Sequence, residues 1–154
     1  MSRFGDYVHS ELAKQAKHAF HMFDEPEVSI LKARAYIILP EFVAGDYHVN
    51  LLTTTPPPLM VNRRTYTFNK NSLVLNTPGV LIHSKYYTDS EDYYMLTITQ
   101  KHFDEVIREI KLAPLSNQPL SFPYSRNILN LARSLFHEMD QRAAGYRLMM
   151  QSKL

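Results

Sequence analysis

The feature that most narrows the folding options is a change of period in the middle of the chain. From about Ala33 to Thr99 the sequence breaks into seven short runs, ARAYIIL, DYHVNLLTT, PLMVN, TYTFN, NSLVLN, VLIHSKYY and DYYMLTIT, separated by Pro, Asn, Asp and Gly. Short runs rich in Val, Ile, Leu, Thr and Tyr with turn residues at regular intervals specify an antiparallel sandwich or barrel. Glycine is scarce, 4 residues against 9 prolines, so the turns fall mainly to Asn, Asp and Pro. Asn62-Arg63-Arg64 and Asn69-Lys70-Asn71 read as tight turns, because Asn tolerates positive φ at modest cost. Pro78-Gly79 reads as a type II turn, with Pro fixing φ at the first central position and Gly taking the positive φ beside it.

Both flanks are helical in pattern. Leu12, Ala16, Ala19, Phe20 and Phe23 fall at helical spacing between Val8 and Phe23, with Ser10 as a cap and Pro26 beyond, which predicts one amphipathic helix. After Thr99, Phe103, Val106, Ile107 and Ile110 form one stripe, and Ile128, Leu131, Leu135 and Met139 form a cleaner one. APLSNQPLSFPYS lies between them as an extended connector with three prolines. GYRLMMQSKL begins a further helix after Gly145. The expected organisation is therefore a helical segment over residues 1–32, a β unit over 33–99 and C-terminal helices over 100–154.

Composition removes several function classes. Seventeen basic against fifteen acidic residues give a net charge of +2, too small and too scattered for a phosphate-binding stripe. With no cysteine there is no disulfide, thiolate metal site or Cys nucleophile. The longest apolar runs fall far short of the roughly 20 residues that a bilayer requires, and MSRFGDYVHSE has no signal-peptide apolar region. A cytoplasmic location and no membrane partner are the expectation.

The order of elements, with VNRRTYTFNKNSLVLNTPGVLIHS followed by EDYYMLTIT and a helix, resembles the N-terminal sensor domain of the AraC/XylS family of transcription regulators. The resembling motifs are Val61-Asn62-Arg63-Arg64, Asn71-Ser72-Leu73-Val74-Leu75, Pro78-Gly79 to His83, and Tyr93-Tyr94-Met95-Leu96, within about residues 33 to 154. The resemblance implies an α+β fold: a small cupin-like antiparallel β-barrel, or double-stranded β-helix, with an N-terminal helix and paired C-terminal helices. It also implies a small-molecule effector in the barrel and a homodimer joined through the last helices, here Ile128, Leu131, Leu135, Met139 and Leu148. In the family, DNA is bound by a following helix-turn-helix region. No such pattern lies in these 154 residues, so DNA contact is expected only through a region outside this chain.

Catalysis finds little support in the residues. A metal-dependent cupin enzyme needs two His at i and i+2 plus a Glu on one strand and a further His on a later one. Here His48 stands with Asn50 two positions on, and His83 stands alone on its strand. No Gly-x-Ser-x-Gly elbow or Gly-rich phosphate loop occurs. No catalytic residue, metal or cofactor is expected. Alternation along DYHVNLLTT puts His48, Asn50, Leu52 and Thr54 on one face. The resemblance assigns ligand contacts to Thr54, Tyr94 and Leu96, and by the same parity turns His48, Asn50 and Leu52 inward, with Lys85 near the mouth. Arg34 and Tyr36 on the first strand complete the candidate set. The competing reading is a non-enzymatic interaction module whose barrel is filled by its own side chains.

Overall fold

The computed structural model describes residues 4–16, 20–111, 115–141 and 151–152. A first helix, α1 (Phe4–Gln15), precedes nine strands: β1 (Phe20–Asp24), β2 (Val28–Tyr36), β3 (Leu39–Val43), β4 (Tyr47–Leu51), β5 (Leu59–Val61), β6 (Arg64–Tyr66), β7 (Ser72–Asn76), β8 (Leu81–Ser84) and β9 (Thr88–Ile98). Then come α2 (Gln100–Glu109), β10 (Leu120–Pro123) and α3 (Arg126–Gln141). The strands pair antiparallel in two sheets, a larger one ordered β1-β2-β9-β4-β7-β10 and a smaller one ordered β3-β8-β5-β6.

Antiparallel sheets flanked by helices agree with the expected α+β class. The expected closed barrel is not what the ladders draw, because no described strand pair joins one sheet to the other. Proline gives a physical reason at the crossing from β4 to β5. Pro56, Pro57 and Pro58 occupy it, and three successive residues without N–H cannot carry a ladder from sheet to sheet. Pro40 and Pro123 sit in β3 and β10, each at the outer edge of its sheet, where a missing donor costs no pairing.

The turns follow the residues that make them. Asn62 and Arg63, at φ 50° and 63°, form the two-residue link between β5 and β6, where Val61 faces Arg64. Positive φ at both central positions is the hairpin turn whose twist matches its strands. Gly79 takes φ 86° and donates its N–H to Ala44 O at 2.8 Å.

Two apolar layers result. Leu31, Ala33, Ala35, Tyr93 and Met95 of the larger sheet meet Leu39, Val61 and Ile82 of the smaller one, and Val8, Leu12 and Ala16 of α1 join the same core. On the opposite face of the larger sheet, Val28, Ile30, Leu51 and Tyr94 are covered by Ala132, Leu135 and Met139 of α3.

Two boundaries are corrected. The segment 1–32 is not helical throughout: α1 ends at Gln15, Phe20–Asp24 is strand β1 on β2, and β2 itself starts at Val28. Phe20 and Met22 pack on the core between the sheets, while Phe23 faces the other way with its ring centroid 5.2 Å from that of Phe136. Alternating apolar residues thus serve two layers, and this also satisfies a helical period by coincidence. The connector 112–123 contains β10, which pairs with β7.

α1 is fastened by specific contacts. Gln15 donates from Nε2 to Ile38 O at 2.7 Å and accepts at Oε1 from Ile38 N at 2.9 Å, so its side-chain amide pairs with the main chain as a strand would. Tyr7 stacks on Phe42 at 4.2 Å. Because both Gln15 bonds are solvent-exposed, Gln15→Ala is expected to lower stability by only about 1 kcal/mol. Urea denaturation checks this, with the midpoint moving and the slope unchanged.

Candidate functional site

Where the two sheets face each other the packing leaves a cavity of about 100 Å³. One water needs roughly 10–15 Å³ by this measure, so the space is several waters in size. Its floor is the inward face of the larger sheet. Across four neighbouring strands Ser29 pairs with Thr97, Thr97 with His48, and His48 with Asn76, all on one side and all buried. His48 and Asn76 of this row line the cavity. The next row brings Met95, Asn50 and Val74 together, and beyond it Leu52 and Tyr93 complete the floor. Ile82 and Ser84 of β8 face them from the smaller sheet, Val8 of α1 approaches from one side, and Pro56 and Pro57 from the β4–β5 link.

Electrostatically the site is quiet. His48 is fully enclosed, and burial lowers its imidazole pKa to about 3, so it is neutral at pH 7. Burial also raises the phenols of Tyr36 and Tyr93, which stack in parallel at 4.6 Å. Two buried polar atoms have no hydrogen-bond partner among the described residues, Asn76 Oδ1 and Thr97 Oγ1, while the buried hydroxyls of Tyr36 and Thr54 lie against each other. Such atoms are rare in folded proteins and each is costly. Asn76 and Tyr36 line the cavity, and Thr54 borders it through Tyr36.

Of the sequence-predicted positions, His48, Asn50, Leu52 and Tyr36 line the cavity, and Thr54 borders it. The placement of Tyr94 and Leu96 is corrected: both face α3 on the outer side of the sheet. Their inward neighbours Tyr93 and Met95 line the cavity instead. Arg34 is exposed and donates from Nε to Asp92 Oδ1 at 2.8 Å, while Lys32 reaches Asp92 Oδ2 at 3.0 Å. A β-bulge between Ala33 and Ala35 separates the courses of Arg34 and Tyr36, turning Tyr36 onto Tyr93. Lys85 is exposed and does not line the cavity.

Of the positions expected to join two protomers, Leu135 and Met139 are buried against the chain's own sheet, Ile128 and Leu131 are exposed, and Leu148 lies outside the described residues.

Asn76 and Ser84 were missed from sequence. Asn76 left a signal, because an amide ending the otherwise apolar run SLVLN goes against strand preference. Among the described residues no group of three or more His, Asp or Glu could hold a metal ion. The ring Nδ1 of His83 donates to Leu39 O at 2.8 Å.

β4 also carries contacts on its other side. Tyr47 stacks on Phe103 of α2 at 4.0 Å and donates its hydroxyl to Asp104 Oδ1 at 2.7 Å. Burial first, and then this bond, raise the Tyr47 phenol to about 12. Leu51 packs in the layer under α3. A strand whose inward residues line the cavity therefore seats both C-terminal helices with its outward ones.

No family model matches the chain, and no curated protein matches it. Among solved structures it is similar to ToxT from Vibrio cholerae O395 bound to (E)-4-(8-methylnaphthalen-1-yl)but-3-enoic acid, with TM-score 0.38 and 10% identity over 76% of this chain and 47% of that one. It is also similar to an apo ToxT variant from Vibrio cholerae strain SCE256, with TM-score 0.38 and 12% identity over 79% of this chain and 46% of that one. The chain thus spans about half the length of these proteins. No helix of the described residues is long and apolar enough to cross a membrane.

Proposed function

We propose that this chain is the effector-binding domain of an AraC-type transcription regulator, and that a small organic molecule held between its sheets sets the state of the domain. The observation that carries the reading is the cavity, walled mostly by apolar side chains and presenting one buried acceptor, Asn76 Oδ1, that lacks a partner among the described residues. A mostly apolar pocket with a few convergent polar groups is the usual form of a small-molecule site. The competing reading, a filled interaction module, calls for side chains where this space lies.

The domain acts by binding and not by catalysis. A ligand shifts a conformational equilibrium only by its difference in affinity between two states. β4 is the element placed to sense that difference, with His48 and Asn50 towards the ligand and Tyr47 and Leu51 towards α2 and α3. α1 is a second, through Val8. Exposed Ile128 and Leu131 on α3 are the available seam for a second protomer, and DNA is reached through a region outside this chain.

Thermal-shift screening of neutral, acidic and basic metabolites tests the proposal. At a hundredfold excess over Kd a true effector adds about 2.7 kcal/mol, a rise in Tm of roughly 5–10 °C for a domain of this size. Val74→Phe, which places a ring in the cavity, is expected to abolish that rise. A screen in which no compound raises Tm overturns the proposal in favour of an interaction module.

A further inference from the structure

The cavity wall is uniform in one respect. Among the described residues that line it there is no Lys, Arg, Asp or Glu. The cluster of Lys32, Arg34 and Asp92 is half-buried or exposed and pairs within itself, and none of the three lines the cavity. A carboxylate or ammonium brought into this space would lose its hydration and meet no counter-charge, which is the costliest kind of burial.

Besides Asn50 in the middle row and Ser84 on the facing strand, polar groups stand at the two ends. At one end Asn76, 2% exposed, stands next to His48 in the ladder, and no hydrogen bond among the described residues holds its Oδ1. At the other end the hydroxyls of Tyr36 and Thr54 lie against each other, and each can donate or accept. Four residues of strand, from the His48 row to the Leu52 row, separate the ends by roughly 13 Å at the backbone. Between them Met95, Val74 and Ile82 offer apolar surface, interrupted by the amide of Asn50.

We infer that the cavity selects an uncharged, compact molecule, apolar in its body, with an N–H or O–H donor for Asn76 Oδ1. This rests on the reading of the cavity as a ligand site and adds the chemical class. Its size follows from 100 Å³ of space, its neutrality from the wall, and its donor from the unpartnered acceptor. The neutral state of His48 removes the one imidazole that could otherwise have answered an anion.

Four probes of matched size and different charge test it: benzyl alcohol, benzamide, benzoate and benzylamine, titrated at pH 7 against the whole chain. Binding is followed by the methyl NMR signals of Met95, Val74 and Ile82. Benzyl alcohol and benzamide are expected to shift these signals saturably, at least tenfold more tightly than benzoate or benzylamine. Asn76→Ala, checked for native fold by circular dichroism, is expected to weaken benzamide several-fold and leave toluene unchanged. Benzoate or benzylamine binding as tightly as the neutral pair, with the same methyl signals shifting, overturns the inference and leaves the cavity as a ligand site. Toluene losing as much affinity as benzamide in Asn76→Ala overturns the role of the amide. If none of the probes moves the methyl signals, the reading of the cavity as a binding site fails with it.

Discussion

His48→Asn is expected to remove most of the loss of stability that the wild-type protein suffers between pH 7.5 and 4.5. His48 is fully buried and its pKa falls to about 3 in the native state, against 6.5 for an unperturbed imidazole. The unfolded chain therefore binds a proton that the folded chain refuses over the whole interval between those values. Stability conferred by the neutral ring is complete above about pH 6.5 and declines as the pH falls towards 3. The slope approaches 1.4 kcal/mol per pH unit, which amounts to roughly 2–3 kcal/mol by pH 4.5. Urea unfolding of both proteins at several pH values reads the difference directly.

The lower limit of that comparison matters. Burial pulls the Asp92 carboxyl up, but Lys32 and Arg34 outweigh it and hold its pKa below the ordinary value. The stability gained from that group is present above about pH 4 and is lost below it, by the same linkage with the charge reversed. At and above pH 4.5 its contribution is nearly constant, so it does not mask the effect of His48. Wild-type and His48→Asn curves that run parallel over this interval would mean that the imidazole takes up its proton within the folded protein.

Leu12→Ala carries the other large effect, an expected loss of about 2–5 kcal/mol. Leu12 has no exposed surface and packs in the core that α1 shares with both sheets. Set against a typical total of roughly 5–15 kcal/mol, this takes up a large part of the stability. Its measure is a lower denaturation midpoint with an unchanged slope. A loss under about 1 kcal/mol would show that α1 is held by its exposed bonds at Gln15 and not by burial.

The short strands and their turns were legible because their chemistry is local. Asn62 and Asn71 adopt positive φ, at 50° and 59°, where the sequence asks for it, and Gly79 does so at the Pro78 turn. The helix α3 was legible from the spacing of Leu135 and Met139. What the stripe could not convey was its partner: those residues cover the chain's own sheet. The same ambiguity inverted part of the site. β9 has apolar residues on both faces because both faces are covered, so YYML gives no parity, and Tyr93 with Met95 cannot be told from Tyr94 with Leu96. On β4, by contrast, alternation of His48, Asn50 and Leu52 identified one face correctly as a set. The separation into two sheets was hidden for another reason. It depends on where a ladder stops, and only the prolines of the β4–β5 link hint at that.

The division of labour along β4 has a consequence for how this protein can change. Residues 48, 50 and 52 meet the cavity, whereas 47 and 51 seat helices. Alternate residues along one stretch of chain thus meet separate surroundings. Substitutions at the even positions can retune what the interior tolerates without disturbing the helical scaffold, so a lineage could drift to new chemical preferences while its outward architecture stayed the same.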